Sequence, residues 1–155
     1  MNLIYPPNLY NNNGKYTVFL AGSIEMGKAE NWQDEFCERF KHYNINVLNP
    51  RRPDWNADWE QTFDNPIFNE QVMWELDGLD AADLILMYLQ PDTISPISLL
   101  ELGKYSETDK LIVCCPNNYF RKGNVDILCY RENIPLCDTK EDLFLLAKEI
   151  IDSEY

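Results

Sequence analysis

The sequence is poor in the residues that hold metals. It contains a single histidine, His42, and no CxxC pair among its five cysteines, so a zinc site would lack its usual ligands. His42 follows Lys41 near the end of a predicted helix and reads as a surface residue there. The cysteines (Cys37, Cys114, Cys115, Cys129 and Cys137) are odd in number, and four lie in apolar stretches. Buried reduced thiols are therefore expected rather than disulfides. Positive charge is scarce as well. Thirteen basic residues stand against 26 acidic ones, a formal charge of −13, and that field repels phosphate backbones and anionic lipid heads. It argues against a nucleic-acid polymer or a membrane surface as partner and suits a small neutral substrate. Long apolar runs are also missing: nothing approaches the roughly 20 residues of a membrane span. The start, MNLIYPPNLYNNNGKY, has no basic region followed by an apolar one, and the chain reads as cytoplasmic. No GxGxxG phosphate-binding pattern occurs.

What is present is a single domain's worth of alternating strand and helix patterns. A chain of 155 residues fits one domain and buries roughly two thirds of its unfolded surface. Residues 1–15 are rich in Pro and Asn and read as an irregular arm ending in the turn NNNG. TVFLAG (17–22) is a short β-branched run stopped by glycine, the pattern of a strand covered on both faces. NWQDEFCERFKHY (31–43) carries Trp32, Phe36, Phe40 and Tyr43 at helical spacing, and INVLNP (45–50) supplies a second strand. The stretch 51–64 is polar and aromatic with no period, and loops of that length are often functional. A helical pattern through Ile67, Val72, Trp74, Leu76 and Leu79 leads into the strand LILMYL (84–89). A helix from Pro96 to about Glu107 follows, then LIVCC (111–115), the apolar runs VDILCY (125–130) and Ile134 to Leu136, and a last helix over 141–152. This alternation predicts an α/β fold, a parallel sheet with helices on both faces. Ligands in such folds sit beyond the carboxyl ends of the strands where strand order reverses. Residues just past those ends, Gly22 and Ser23, Asn49, Arg51 and Arg52, Gln90 to Ser95, and 116–124, are expected to converge on one cleft.

Chemistry concentrates in a few places. In SPISLLELG, Ser95 is placed to cap a helix with Pro96 at its first position, which sets Glu101 in the second turn, on the side of Ile97 and Tyr105 and close to Leu100. The competing reading is a Ser98–Glu101 capping box with a later start. A carboxylate beside a buried face costs free energy unless it has partners or a task, and the amino end of the helix favours its ionised, nucleophilic form. WELDGLDAAD offers Glu75, Asp77, Asp80 and Asp83. One of them facing the cleft would complete a pair of carboxyls, the nucleophile and acid of retaining glycosidic chemistry, with Asp83 the structural member. Gly22 and Ser23 are small enough for a ligand to approach the backbone, Asn124 in RKGNVD is read as a loop residue able to bond a sugar hydroxyl, and Trp55 and Trp59 are candidates to cover a base.

Taken together, VFLAGSI, WELDGLDAADLILMYL, SPISLLELG and the GN of RKGNV resemble the nucleoside 2-deoxyribosyltransferase family and its wider superfamily of nucleotide N-glycosidases, in the right order across most of residues 17–130. The resemblance implies a flavodoxin-like (Rossmann-like) three-layer sandwich with five parallel strands, no metal or cofactor, and a homo-oligomer, dimer or hexamer, with a shared active site. It implies double displacement: Glu101 matches the glutamate that attacks the anomeric carbon of a deoxynucleoside. The acidic residue that assists at the nucleobase falls on Glu75, or on Asp77 if the register slips by two. Asn124 matches an asparagine that reaches the sugar, often in a neighbouring subunit's site, and Phe19, Gly22, Ser23, Trp74 and Ser95 complete the implied substrate contacts. Two departures stand out. Phe19 replaces a tyrosine, and Ser95 stands where many members have an aspartate. Some relatives hydrolyse nucleoside monophosphates, and Ser23, Ser95, Ser98, Arg51 and Arg52 suit a phosphate reading. A nucleoside or nucleotide hydrolase, or a nucleotide-binding module without turnover, are the alternatives.

Overall fold

A computed structural model describes residues 1–154, apart from the side chain of Met26. The terminal Tyr155, for which the resemblance to some relatives implies a reach across an interface, lies outside the described residues. Among these, six strands form one all-parallel sheet: β1 (Asn2–Ile4), β2 (Thr17–Gly22), β3 (Asn46–Leu48), β4 (Leu84–Tyr88), β5 (Leu111–Cys114) and β6 (Leu136–Cys137). Their order across the sheet is β1-β3-β2-β4-β5-β6. Five α-helices connect or follow them: α1 (Trp32–Phe40), α2 (Pro66–Ala81), α3 (Pro96–Tyr105), α4 (Lys122–Arg131) and α5 (Lys140–Ser153).

The five-strand expectation is corrected by one strand, and that strand comes from the arm expected to be irregular. Asn2, Leu3 and Ile4 pair with Asn46, Val47 and Leu48. The arm is held further along by Trp74, whose Nε1 donates to the Asn8 carbonyl at 2.7 Å, and by a 2.9 Å bond between the Tyr10 and Thr17 hydroxyls. Without β1 the remaining strands run in the doubly wound order 2-1-3-4-5.

Strands β2, β4 and β5 are uniformly apolar because both faces are covered. Trp74 and Leu79 of α2, Leu102 and Tyr105 of α3, and Val125 and Cys129 of α4 pack with Phe19, Ile85, Met87 and Val113 on one face. Trp32, Phe36 and Phe40 of α1 and Leu143, Phe144 and Ile151 of α5 pack with Val18, Leu20, Leu86 and Ile112 on the other. All five cysteines are free thiols, and only Cys137 is not fully buried. The run VDILCY lies within α4, so Asn124 sits in the first turn of a helix rather than in a loop. Continuous apolar runs do not separate strand from helix; here Val125 and Cys129, four apart, are buried while Ile127 and Tyr130 face out. No helix among the described residues is long and apolar enough to cross a membrane.

Strand order reverses between β2 and β4, which opens a crevice at their carboxyl ends. There the Ser23 amide donates to the Tyr88 carbonyl at 2.9 Å. Gly22 has φ +116°, and a Cβ on it would sit 2.2 Å from the Tyr88 carbonyl oxygen. The neighbouring strand therefore requires glycine here, a reason separate from the room for a ligand expected there. Gly22→Ala is expected to cost about 3 kcal/mol or more from the backbone clash and disallowed φ, seen as a melting temperature lower by roughly 10 °C. An unchanged melting curve would contradict the close approach.

Candidate active site

Two helices deliver one carboxyl each to the same buried spot. Helix α2 starts cleanly, with the Asn65 side chain accepting from the Ile67 amide and Pro66 in the first turn. It then lies close on the sheet because Gly78 has no side chain: a Cβ there would meet the Phe19 ring at 3.0 Å. Gln71, Trp74, Gly78 and Leu79 are its buried residues. Glu75, four residues after Gln71, borders this face.

Helix α3 buries Ser98, Glu101, Leu102 and Tyr105. Ile97 and Leu100 are exposed, so of the two residues expected on its side Glu101 shares a buried face with Tyr105 but not with Ile97. It lies on the stripe at i, i+3, i+4 and i+7 that faces the core, and only 7 % of its surface is exposed. No hydrogen bond to its carboxyl occurs among the described residues. Ser95 does occupy the cap position, but in a left-handed conformation (φ 48°) and without a side-chain capping bond.

Burial pushes the Glu101 carboxyl up to about 8, and the nearby Glu75 pushes it the same way. Burial raises Glu75 to about 7, against a smaller lowering by its bond from Gln71. The expectation that the α3 dipole keeps Glu101 ionised is thereby corrected: removal from water outweighs the helix terminus. The neighbouring charges make the two titrations one coupled event, so near neutrality the pair holds about one proton. Gln71 orients Glu75. Its Nε2 donates to Glu75 Oε1 at 2.6 Å and to the Pro50 carbonyl at 3.2 Å, and its Oε1 accepts from Arg52 at 3.5 Å. Sequence reasoning missed Gln71, although its i, i+4 spacing to Glu75 was a usable signal.

The other candidates divide sharply. Asp77 is exposed; Asp80 accepts from the Tyr105 hydroxyl at 2.6 Å and from Lys104; Asp83 accepts from the Thr17 amide at 2.8 Å and joins α2 to the sheet. Phe19 is fully buried, and its ring lies 6.1 Å from that of Trp74, itself 7 % exposed. The structure gives both to the core rather than to an open wall. Ser23 is fully buried, and its hydroxyl lies 2.8 Å from that of Thr93 and 2.6 Å from that of Ser95 while accepting from the Gln90 amide at 2.9 Å. These bonds fix the β4–α3 loop over the strand ends, aided by the Tyr119 hydroxyl, which donates to the Ile94 carbonyl at 2.8 Å.

Neither arginine is free to meet a phosphate. Arg51 donates to the carbonyls of Gly27, Ala29 and Glu30 at 2.8–3.1 Å and clamps the loop after β2. Arg52 pairs with Asp54 and lies 5.2 Å from the centre of the Trp59 ring, and Trp59 meets Trp55 edge to face at 5.2 Å. Asn124 is exposed on α4, in a groove of about 340 Å³ lined also by Leu99, Leu102, Arg121, Val125 and Leu128. Within one chain, none of its described contacts joins it to the Glu75–Glu101 pair. Among the described residues no three His, Cys, Asp or Glu side chains converge as a metal group would.

A buried carboxyl with a raised pKa is a stability cost that grows with pH. In the unfolded chain Glu101 ionises near 4.5, while folded it holds its proton to about 8. Between those values the unfolded state binds fewer protons, so stability falls as pH rises and levels off above 8. Glu101→Gln, neutral throughout, is expected to melt at the same temperature as the parent near pH 4 and several degrees higher at pH 8.5. Parallel melting curves across that range would show that the carboxyl is solvated.

The arrangement can be set beside known proteins. A family model described as "Nucleoside 2-deoxyribosyltransferase like" matches residues 15–119, a span that includes Glu75, Ser95 and Glu101 but not Asn124. No curated protein matches the chain. A solved structure described as a conserved protein from Enterococcus faecalis V583 superposes with a TM-score of 0.61 at 13 % sequence identity, over 91 % of this chain and 99 % of that one. At that identity the likeness speaks for the fold alone.

Proposed function

The chain belongs to the nucleoside 2-deoxyribosyltransferase-like family, and from that premise we propose that it moves 2-deoxyribose between nucleobases through a covalent ester on Glu101. The observation that carries the reading is a nine-tenths buried glutamate with no hydrogen-bond partner among the described residues, its carboxyl raised by burial and by the nearby Glu75. A structural ion pair would have a cation here; among the described residues no cation acts on either carboxyl.

In the first half-reaction the Glu101 carboxylate attacks C1′ as the C1′–N bond to the base breaks, and Glu75 gives its proton to the departing nitrogen. In the second, a new base loses its N–H proton to Glu75 and attacks C1′, expelling the Glu101 carboxylate. In the empty site the one proton belongs to the pair rather than to either carboxyl. Substrate sets its place: a base nitrogen accepting from Glu75 fixes the proton there, and positive charge developing at C1′ favours ionised Glu101. Neither half-reaction calls for a metal or cofactor. The doubly wound strand order agrees with the flavodoxin-like fold the family resemblance implies, and the reading is of a cytoplasmic nucleoside-salvage enzyme.

The site is read as shared between copies of the chain. Ile94, Ile97 and Leu100 at the start of α3 and Phe120, Ile127 and Tyr130 around α4 are all more than half exposed, an apolar surface of the kind a second subunit covers. Asn124, exposed on the same helix as Ile127 and Tyr130, is the residue this reading sends into a partner's site. Sedimentation as a monomer at assay concentrations would remove this part of the reading.

Incubation with a 2-deoxy-2-fluoro nucleoside is the direct test, because the fluorine slows hydrolysis of the ester. The expected result is one added sugar mass on the peptide holding Glu101. Deoxyinosine with adenine then yields deoxyadenosine. Free deoxyribose alone would make the chain a hydrolase, since the same intermediate is contested by base and water. No adduct and no turnover would leave a nucleotide-binding module.

A further inference from the structure

At the amino end of α3 the chain supplies its own anion. Glu25, in the single 3-10 turn Glu25–Gly27 that follows β2, reaches across to the β4–α3 loop. Its Oε1 accepts from the amides of Ile94 at 2.9 Å and Ser95 at 2.6 Å and from the Ser95 hydroxyl at 3.3 Å. Its Oε2 takes no hydrogen bond among the described residues. The amides and the positive end of the helix dipole are the groups that would otherwise attract an external anion. Here a tethered carboxylate holds them, with Arg51 and Gln90 fixing the loop behind it through the carbonyls of Gly27, Ala29 and Glu30.

A second feature lies along the same helix. Ser95, Ser98 and Glu101 are all buried and follow at intervals of three on the inner face of α3. Six residues of helix span about 9 Å. One end of this polar stripe is the Glu25 carboxylate; the other is the unpartnered Glu101 carboxyl. With C1′ at Glu101, a C5′ arm laid along this stripe would point toward Glu25.

We propose that Glu25 sets the substrate class of the site, admitting deoxynucleosides with a free 5′-hydroxyl and rejecting their 5′-monophosphates. The proposal rests on the reading of Glu101 as the glycosyl nucleophile. The hydroxyl can donate to the open Oε2. A phosphate, carrying close to two negative charges at neutral pH, meets a fixed carboxylate that already holds the amides it would need. Arg51 and Arg52, engaged elsewhere, offer it no compensation.

Two variants separate charge from occupancy. Glu25→Gln keeps an oxygen for the two amides and removes the charge; Glu25→Ala empties the position. With deoxyinosine and its 5′-monophosphate as donors and adenine as acceptor, the parent is expected to favour the nucleoside by about 100-fold or more in kcat/KM. Glu25→Ala shifts that ratio toward the monophosphate by at least about tenfold, and Glu25→Gln shifts it less. A ratio unmoved in both variants, or a parent that prefers the monophosphate, overturns the proposal. A second readout does not depend on turnover: inorganic phosphate is expected to raise the melting temperature of Glu25→Ala beyond the effect of sodium chloride at equal ionic strength, and to leave the parent unmoved. If no protein turns over either donor, the glycosyl-transfer reading fails by itself. The phosphate arm then decides the role of Glu25, with equal responses in parent and variant counting against it. Should Glu25→Ala not fold, Glu25→Gln carries both readouts.

Discussion

Replacing Glu101 by glutamine is expected to lower kcat/KM for base exchange by about four to six powers of ten, the range seen when an enzyme loses its covalent nucleophile. The side chain keeps its shape and gives up only the ability to carry charge, so the loss reads chemistry rather than packing. Two measurements secure that interpretation. The variant's melting temperature at pH 8.5 lies above the parent's, because the raised pKa of about 8 marks the parent carboxyl as costly to ionise where it stands, and its fluorosugar adduct disappears. A variant that is folded, more stable and inactive is the signature of a residue whose burial serves reaction rather than stability. Base exchange at an unchanged rate in Glu101→Gln would end the nucleophile assignment outright.

The strands and most helices were legible in the sequence because burial on both faces imposes unbroken apolar runs such as LILMY and LIVC, and because Trp32, Phe36 and Phe40 keep helical period. Elements without such a pattern were not. Strand β1 is three residues of an arm, held by pairing with Asn46–Leu48 rather than by any alternation of its own. Helix α4 reads as a continuous apolar run because its exposed positions, Ile127 and Tyr130, are themselves apolar. Glu101 could be singled out as a misplaced charge, but its electrostatics could not be fixed from the chain alone. The helix terminus is visible in sequence, whereas desolvation and the approach of Glu75 depend on how α2 and α3 pack. Glu25 was invisible for a plainer reason: its partner Ser95 lies 70 residues away, and no local spacing encodes that contact.

The pH dependence carries the second large effect. The chemistry needs one proton on the pair, and burial pushes the two carboxyls up to about 7 and about 8. Below the lower value both are protonated and no nucleophile exists; above the upper value both are ionised and no acid exists. The profile of kcat/KM is therefore expected to be a narrow bell centred between them. Glu75→Gln removes the acid and should lower kcat/KM by about 10²–10⁴ for ordinary purine nucleosides. The loss is far smaller for a donor whose base is already cationic, because that base departs without a proton. Its profile must also change shape in a defined direction. In the parent the first proton leaves while the other carboxyl is still neutral, so removing Glu75 leaves the acid limb close to its parent position, held above the ordinary carboxylate value by burial. The alkaline limb vanishes, because no acidic proton remains to be lost. A retained alkaline limb in Glu75→Gln would assign the acid to another group, and an equal loss with cationic and neutral bases would reduce Glu75 to a packing residue.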